Sequence, residues 1–130
     1  MSCCVSDRLV QKNTTKDINF CHSSWFDKLT GKTFDLIVTN PPYLAENDSH
    51  LESLKYEPIE AMVSGKDGLD DIREIIQNAP KYLNQGGYLL LEHSDRHQKE
   101  IVELLKHSFV NILTYQDLNG LDRAILAQYL

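Results

Sequence analysis

Residues 34–43 of this chain read FDLIVTNPPY, an apolar run over 34–39 that passes without a break into the loop Asn40–Tyr43. The run has the length and composition of a buried β-strand. Open α/β sheets bind their ligands at the carboxyl ends of their strands. The pattern therefore predicts a ligand-binding loop at the end of a buried strand.

The residue types in this loop suit the transfer of a methyl group onto a planar nitrogen, which is a poor nucleophile because its lone pair is delocalised. The Asn40 oxygen and a backbone carbonyl can accept the two N–H bonds of such a nitrogen and hold it in line with a donor methyl. Pro41 and Pro42 fix φ near about −65° and remove two backbone donors. Tyr43 offers a face for stacking. An ordinary strand-ending turn with Tyr43 packed at the surface is the alternative.

The rest of the chain alternates strands and helices, which predicts an α/β fold over a single domain, residues 1–130. A helix that packs on the sheet is predicted over 67–83, with Gly86-Gly87 as its stop signal, and an amphipathic helix over 94–107. A loop or single turn is predicted over 25–29. The predicted strands are 17–21, 34–39, 88–92 and a closing antiparallel pair, 109–115 and 122–128.

The polar segment 44–66 lies between two parts of this domain, 17–43 with the first strands and 67–130 with the C-terminal half of the sheet. It is longer than most connections between secondary-structure elements. We therefore predict that it forms a lid or a wall of the substrate site.

The 130 residues are 42% apolar and 25% charged, and their formal net charge is −6. These values are typical of one globular unit and argue against a broad phosphate-binding surface. No apolar run approaches the ~18 residues of a membrane span, and the chain does not open with a signal-peptide pattern. We expect a cytoplasmic protein with no nucleic-acid or membrane partner. Its three cysteines lack metal-ligand spacing, which predicts reduced thiols and no metal site.

Several motifs in order resemble one known family. From Ser23 to Ala127 the chain is similar to the C-terminal catalytic portion of the HemK/PrmC family, the N5-glutamine methyltransferases of peptide chain release factors. The matching pieces are Ser24-Trp25-Phe26, 34–43, Tyr56-Glu57-Pro58, Gly65-Lys66-Asp67-Gly68-Leu69, 86–93 and 117–123.

The resemblance implies a Rossmann-like class I fold that depends on S-adenosylmethionine, with a peptide chain release factor as protein substrate. It implies that the loop Asn40–Tyr43 grips the substrate glutamine, with Asn40, Pro41 and Tyr43 at the reacting centre. It also implies that Trp25 and Asn40 line the cofactor site.

The chain departs from the family pattern in two places. Ser24 stands where the family usually has Asp, a carboxylate expected near the adenine amine. A class I methyltransferase begins with a strand, a glycine-rich turn and a second strand that ends in an acidic residue. No glycine precedes Gly31 and no long apolar strand precedes Ile18. We therefore expect an N-terminally truncated fold that lacks the first half of the cofactor site.

The missing first strand would leave an apolar edge of the strand 34–39 unpaired. An exposed edge recruits partners, so we predict self-association, pairing with residues 17–21, or poor solubility.

For three residues two interpretations are possible. Trp25 either forms a wall of the adenine site or fills a corner of the fold. Glu57 shapes the substrate pocket or lies in a solvated Glu-Pro turn. Glu92 faces the sulfonium charge of the cofactor or makes structural hydrogen bonds.

Other residues of the matching motifs have structural interpretations. We interpret Gly65 and Gly68 as turn residues ahead of a helix, and His93 as a helix-entry residue. Asp122 and Arg123 are expected to form a structural ion pair.

Two other functions stay open beside the glutamine methyltransferase. An N6-adenine methyltransferase of nucleic acid would also act on a planar nitrogen. The negative net charge of this chain and its lack of a recognition insert count against this function. A non-catalytic remnant is favoured by the absence of the glycine-rich turn.

Overall fold

The computed structural model describes residues 19, 21–49, 51 and 58–130. Its internal contacts divide the chain into two compact units, residues 1–31 and 32–130. The single-domain interpretation stays a prediction. The strand predicted over 17–21 lies largely outside the described residues, and neither Asn19 nor Cys21 is in a strand.

The first unit contains the turn predicted over 25–29. The Asp27 N–H donates to the Ser24 carbonyl at 3.0 Å, and the Leu29 N–H donates to the Phe26 carbonyl at 2.8 Å. These hydrogen bonds confirm the turn.

The second unit is built on a four-stranded sheet with the order β1-β2-β4-β3. The strands are β1, Phe34–Thr39; β2, Leu83–Glu92; β3, Phe109–Gln116; and β4, Asp122–Tyr129. β1 and β2 are parallel, whereas β4 runs antiparallel to both of its neighbours. The α/β fold and its closing antiparallel pair are confirmed, and β4, the reversed strand, lies between β2 and β3.

Two helices connect these strands. Helix α1, Asp70–Asn78, continues into a 3₁₀ turn over Ala79–Lys81, and helix α2, Gln98–Leu105, follows a 3₁₀ turn over Asp95–His97. On one side of each helix, apolar residues recur at helical spacing and are buried. The buried residues are Ile72, Ile75, Ile76, Ile101 and Leu105.

The predicted role of Gly86-Gly87 as a helix stop is wrong, because both glycines lie inside β2 and α1 ends eight residues earlier, at Asn78. The physical reason is a close approach of backbone. A Cβ on Gly87 would lie 2.9 Å from the Asn84 carbonyl oxygen and 3.1 Å from that of Asp35. Gly87 therefore permits the contact between β2 and β1.

One face of the sheet and the buried sides of the helices form the core. Leu89 and Leu91 of β2 and Ile125 and Ala127 of β4 are at most 1% exposed. Side chains alternate along a strand, so these residues share one face of the sheet. The other face is open.

The prediction of a strand over 34–39 is confirmed, but the expectation that it is buried is wrong for the described structure. Leu36 is 52% exposed and Val38 is 65% exposed. β1 is an edge strand among the described strands, and both residues lie on the open face of the sheet.

The described part of the chain contains no helix that is long and apolar enough to span a membrane.

Candidate active site

The Asn40–Tyr43 loop leaves the sheet at the carboxyl end of β1. Thr39, the last residue of β1, pairs with Leu91 near the end of β2, so the loop begins beside the end of a parallel strand. Pro41 and Pro42 are buried, whereas Asn40 is exposed. The Asn40 side chain has no hydrogen-bond partner among the described residues. Buried prolines therefore anchor a loop whose carboxamide is free to meet a ligand.

The segment after the loop is tied to the residues that precede α1. The Leu44 N–H donates to the Met62 carbonyl at 2.9 Å, and the Ser64 N–H donates to the Leu44 carbonyl at 2.9 Å. These bonds form a parallel bridge between Leu44 and Val63. The ends of the predicted lid segment thus support the loop. Residues 50 and 52–57 lie outside the described part, and the role of the segment as lid or wall stays a prediction.

Gly68 packs against the loop itself. It has φ +80°, and a Cβ at this position would lie 2.5 Å from the Tyr43 carbonyl oxygen and 3.0 Å from His97 Cε1. Gly65 has φ +70°. Both values lie in the left-handed region that glycine adopts readily, which confirms these two glycines as turn residues.

The start of α1 is capped by two side chains that the sequence analysis missed. Buried Ser64 accepts a hydrogen bond from the Asp71 N–H at 2.7 Å and donates one to Asp71 Oδ2 at 2.6 Å. Asp67 Oδ1 accepts from the Leu69 N–H at 3.1 Å. The N-cap position itself is Leu69, whose side chain makes no capping bond. An Asp or Ser a few residues before an apolar periodic run is the signal that could have identified them.

The carboxylate of Asp67, which precedes α1, also forms an ion pair with a residue of this helix. Arg73 Nη2 lies 2.6 Å from Asp67 Oδ2. This hydrogen bond, together with that from the Leu69 N–H, lowers the pKa of Asp67.

His93 follows β2 at the same edge of the sheet and is fully buried. The backbone N–H of His93 donates to the Arg123 carbonyl at 3.0 Å, and the ring Nδ1 lies 2.7 Å from the Ser94 carbonyl oxygen. Burial lowers the pKa of His93. The residue that caps the next turn is Ser94, which accepts from the Arg96 N–H at 3.4 Å, so the interpretation of His93 as the helix-entry residue is corrected.

Arg123 forms its ion pair with Asp117, at 3.2 Å between Nη2 and Oδ2, and the expected pair with Asp122 is therefore corrected. Asp117 Oδ1 also accepts from the N–H groups of Asn119 and Leu121, at 2.8 and 3.1 Å. The bonds from Leu121, Asn119 and Arg123 lower the pKa of Asp117. The Asp117 carboxylate thus folds the β3–β4 turn and fixes Arg123.

Arg123 is held at the end of the sheet by contacts with two other segments. Its burial acts to lower the pKa of the guanidinium, but the hydrogen bond to Asp117 and nearby anionic groups outweigh that effect and raise the pKa. Arg123 Nη1 lies 3.5 Å from the His93 carbonyl oxygen. These contacts tie the start of β4 to the β3–β4 turn and to the end of β2.

The remaining predicted site residues stay untested. Trp25 lies in the unit of residues 1–31, is partly buried and has φ 39°. Glu57 lies outside the described residues. Glu92 is the partly exposed last residue of β2 and pairs with Ala124. The described residues contain no group of three or more His, Cys, Asp or Glu side chains that could hold a metal ion.

Two solved methyltransferase structures give partial matches to this chain. A methyltransferase from Pyrococcus furiosus covers 75% of this chain with a TM-score of 0.49 and 22% identity, and the match spans 41% of that protein. The N-methyltransferase NodS from Bradyrhizobium japonicum, solved with S-adenosyl-L-homocysteine, covers 77% of this chain with a TM-score of 0.42 and 20% identity, over 47% of that protein. No protein-family model matches the sequence.

Curated relatives match almost the whole chain. A release factor glutamine methyltransferase from Pseudomonas aeruginosa is 39% identical over 128 residues, which are 96% of this chain and 46% of the relative. One from Coxiella burnetii is 40% identical over 119 residues, which are 91% of this chain and 43% of the relative. The chain spans about half the length of the curated relatives it matches. Over almost all of its residues the chain is similar to part of the release factor glutamine methyltransferases.

Proposed function

We propose that this chain supplies the substrate-gripping part of a methyltransferase that moves a methyl group from S-adenosylmethionine to the side-chain N5 of a glutamine. The glutamine is that of the Gly-Gly-Gln loop of a peptide chain release factor. One observation carries the proposal: at the end of a parallel strand, buried Pro41 and Pro42 support an exposed Asn40 carboxamide that has no partner among the described residues.

Asn40 would act as an acceptor for the substrate amide. A glutamine carboxamide has a delocalised lone pair and two N–H donors. The Asn40 oxygen and a carbonyl of the loop can accept both N–H bonds, which orients the nitrogen and favours its pyramidal form in the transition state. No general base is needed, because the protonated product can lose its proton to water.

The other loop residues would maintain this geometry. The prolines restrict the backbone, so little conformational freedom is lost when the substrate binds. The Tyr43 ring can stack on the substrate, and Gly68 restrains the loop through its contact with the Tyr43 carbonyl. The prolines, Tyr43 and Gly68 would thus help to position the substrate nitrogen, and none of them would change the charge of that nitrogen.

The family resemblance assigns residues of this chain to one part of the cofactor only. It assigns Trp25 to the adenine and Asn40 to the reacting end, whereas the sequence contains no glycine before Gly31 for the turn that cradles the methionine part. S-adenosylmethionine, when bound, supplies a methyl group on a positively charged sulfur. In the proposed methyltransferase, this chain contributes the acceptor loop.

Calorimetric titration with S-adenosylmethionine tests the role of Asn40. We expect Asn40→Ala to weaken the binding by about 5- to 150-fold, the effect of one lost polar contact of about 1 to 3 kcal/mol. Asn47→Ala is the matched control, since Asn47 is also an exposed amide of the chain. Equal affinities of Asn40→Ala and the unsubstituted chain would contradict the assignment.

Methyl transfer tests the substrate. A radiolabelled methyl group should reach a release factor that carries Gly-Gly-Gln and should not reach a variant in which that glutamine is alanine. Single-stranded DNA serves as the competing acceptor. Label on adenine instead of glutamine would support the N6-adenine methyltransferase and reject the proposal.

A further inference from the structure

The turn between β2 and α2 lies beside the acceptor loop, Asn40–Tyr43. It contains the 3₁₀ residues Asp95–His97 and follows closely on Glu92, the last residue of β2. The parallel strands β1 and β2 both end at this edge of the sheet, where α/β folds bind their ligands. A side chain of this turn can therefore act on the loop from the neighbouring strand.

The ring of His97 meets the loop at Gly68. The point at which a Gly68 Cβ would lie is 3.0 Å from His97 Cε1 and 2.5 Å from the Tyr43 carbonyl oxygen. The ring edge and the carbonyl oxygen therefore leave room for a glycine between them and for nothing larger. A movement of either group would change the space that is available to the other.

Two hydrogen bonds fix the backbone that carries this ring. The His97 N–H donates to the Ser94 carbonyl at 3.0 Å, and the Arg96 N–H donates to Ser94 Oγ at 3.4 Å. His97 Nδ1 is buried and has no hydrogen-bond partner among the described residues. The approach of Cε1 to Gly68 is thus a packing contact, and it does not depend on a hydrogen bond at Nδ1.

The same turn also contacts the residues that follow the loop. Arg96 Nη1 lies 3.4 Å from Asp48 Oδ2. The Asp48 side chain is 10% exposed, whereas that of Arg96 is 64% exposed. Ion pairs with an exposed partner add little stability, so the importance of this pair is positional. The turn meets the chain after Tyr43 as well as the glycine that supports Tyr43.

We propose that His97 is a positioning residue for the acceptor loop. Its ring supports Gly68, and Gly68 supports the Tyr43 carbonyl, so the ring limits how far the loop can move away from a substrate amide. Acceptors that orient a reacting nitrogen need such support, because a small displacement misaligns them with the substrate N–H bonds. His97 acts only through the loop. The inference rests on the proposed function of that loop.

NMR spectroscopy of the full chain tests the contact and its effect. A nuclear Overhauser effect should connect the His97 Hε1 proton with the Gly68 α protons. The Leu44 N–H, which donates to the Met62 carbonyl directly after the loop, reports local opening. In His97→Ala its hydrogen exchange should accelerate by about tenfold relative to that of Leu89 in the core, whereas His97→Phe, which keeps a ring, should restore slow exchange.

A double-mutant cycle with Gly68→Ala tests whether the two residues act together. The new methyl group gains space on one side when the His97 ring is absent. The increase in the unfolding equilibrium constant caused by Gly68→Ala should therefore be smaller in His97→Ala than in the unsubstituted chain, by a factor of about five or more. His107→Ala is the control, since His107 is exposed at the end of α2, and in its background Gly68→Ala should have its full effect.

Titration with a peptide that contains Gly-Gly-Gln connects the contact to the substrate. His97→Ala should weaken the binding of this peptide by about tenfold or more, and His97→Phe should bind it like the unsubstituted chain. The absence of the Overhauser effect, unchanged Leu44 exchange in His97→Ala, or additive effects in the cycle would each overturn the inference. An unsubstituted chain that binds no peptide would count against the proposed function, while the exchange rates and the cycle would still decide whether His97 holds the loop.

Discussion

At the scale of single residues, Gly68 holds the acceptor loop by having no side chain. The Tyr43 carbonyl oxygen occupies the space that a Cβ would need, at 2.5 Å. The left-handed φ of +80° adds a second requirement for glycine. Two independent physical reasons therefore select glycine at this position, and both concern the loop after β1.

Substitution of Gly68 by Ala should destabilise the protein and displace Tyr43. We expect the free energy of unfolding to fall by about 2 to 5 kcal/mol, since the backbone strain adds to the steric clash. Urea denaturation measures the change. Gly120→Ala is the control, because Gly120 has φ +78° but no atom within 4 Å of its Cβ position.

The Gly120→Ala control separates the effect of backbone strain from that of the steric clash with Tyr43. Gly120→Ala should cost only about 1 to 2 kcal/mol, the conformational part. Equal losses in the two variants would show that contact with Tyr43 plays no part in the requirement for Gly68.

At the scale of secondary-structure elements, the start of α1 depends on side chains that precede the helix by several residues. Leu69 occupies the N-cap position but cannot accept a hydrogen bond through its side chain. Ser64 and Asp67 supply the acceptors for the N–H groups of Asp71 and Leu69. The turn that brings them there contains Gly65 and passes directly beside the acceptor loop.

Replacing Ser64 by Ala should loosen α1. The buried hydroxyl accepts from the Asp71 N–H, and the substitution removes this capping hydrogen bond, so we expect a loss of about 1 to 2 kcal/mol in the free energy of unfolding. Chemical denaturation gives this value, and hydrogen exchange should show faster exchange at the first turn of α1. Ser49→Ala, at an exposed position, should change neither quantity. An unchanged first turn in Ser64→Ala would refute the capping role.

At this scale, the sequence predicts features that local residue spacing determines and misses those that depend on contacts between distant segments. The sequence identified β1 and both helices because apolar spacing is a local property. It misassigned Gly86-Gly87, because the reason for Gly87 is the carbonyl oxygen of Asp35, which lies far away in the sequence. The predicted helix span 67–83 also ran past the real end at Asn78, since Pro80 belongs to the 3₁₀ turn that follows.

At the scale of the whole molecule, buried His93 links the folding stability to pH. Desolvation is the largest influence on its pKa and lowers it, Arg123 and His97 lower it further, and the Ser94 carbonyl and Asp122 oppose them. The folded protein therefore favours the neutral ring. An unfolded chain binds the proton more readily, with an ordinary pKa of about 6.5. Stability is thus fully present above this value and falls as the pH falls below it.

We expect a lower urea midpoint at pH 5.5 than at pH 7.5. Asp67 and Asp117, whose pKa values are lowered, affect stability only at more acidic pH, since their unfolded-state pKa is near 3.8. His93→Gln should reduce the difference between the two pH values, whatever its effect on absolute stability. His107→Gln, at an exposed position, should preserve the difference. A difference that survives in His93→Gln would assign the pH dependence to other groups.

The sheet as a whole has one covered face and one open face. Its helices cover one face only, and its open face carries Val38 and Leu113 in one row. Sheets with parallel strands are normally covered on both faces, so the open face is a surface available for contact.

The sequence by itself determined the order of strands and helices along the chain, the place of the Asn40–Tyr43 loop after a strand, and the similarity to one family. Those features depend on local patterns and on motifs that are read along the chain. Only the tertiary structure decided that Arg123 pairs with Asp117, that Gly68 abuts Tyr43, and that one sheet face is open. Each of these depends on which distant segments the fold brings together, and apolar periodicity carries no information about that choice.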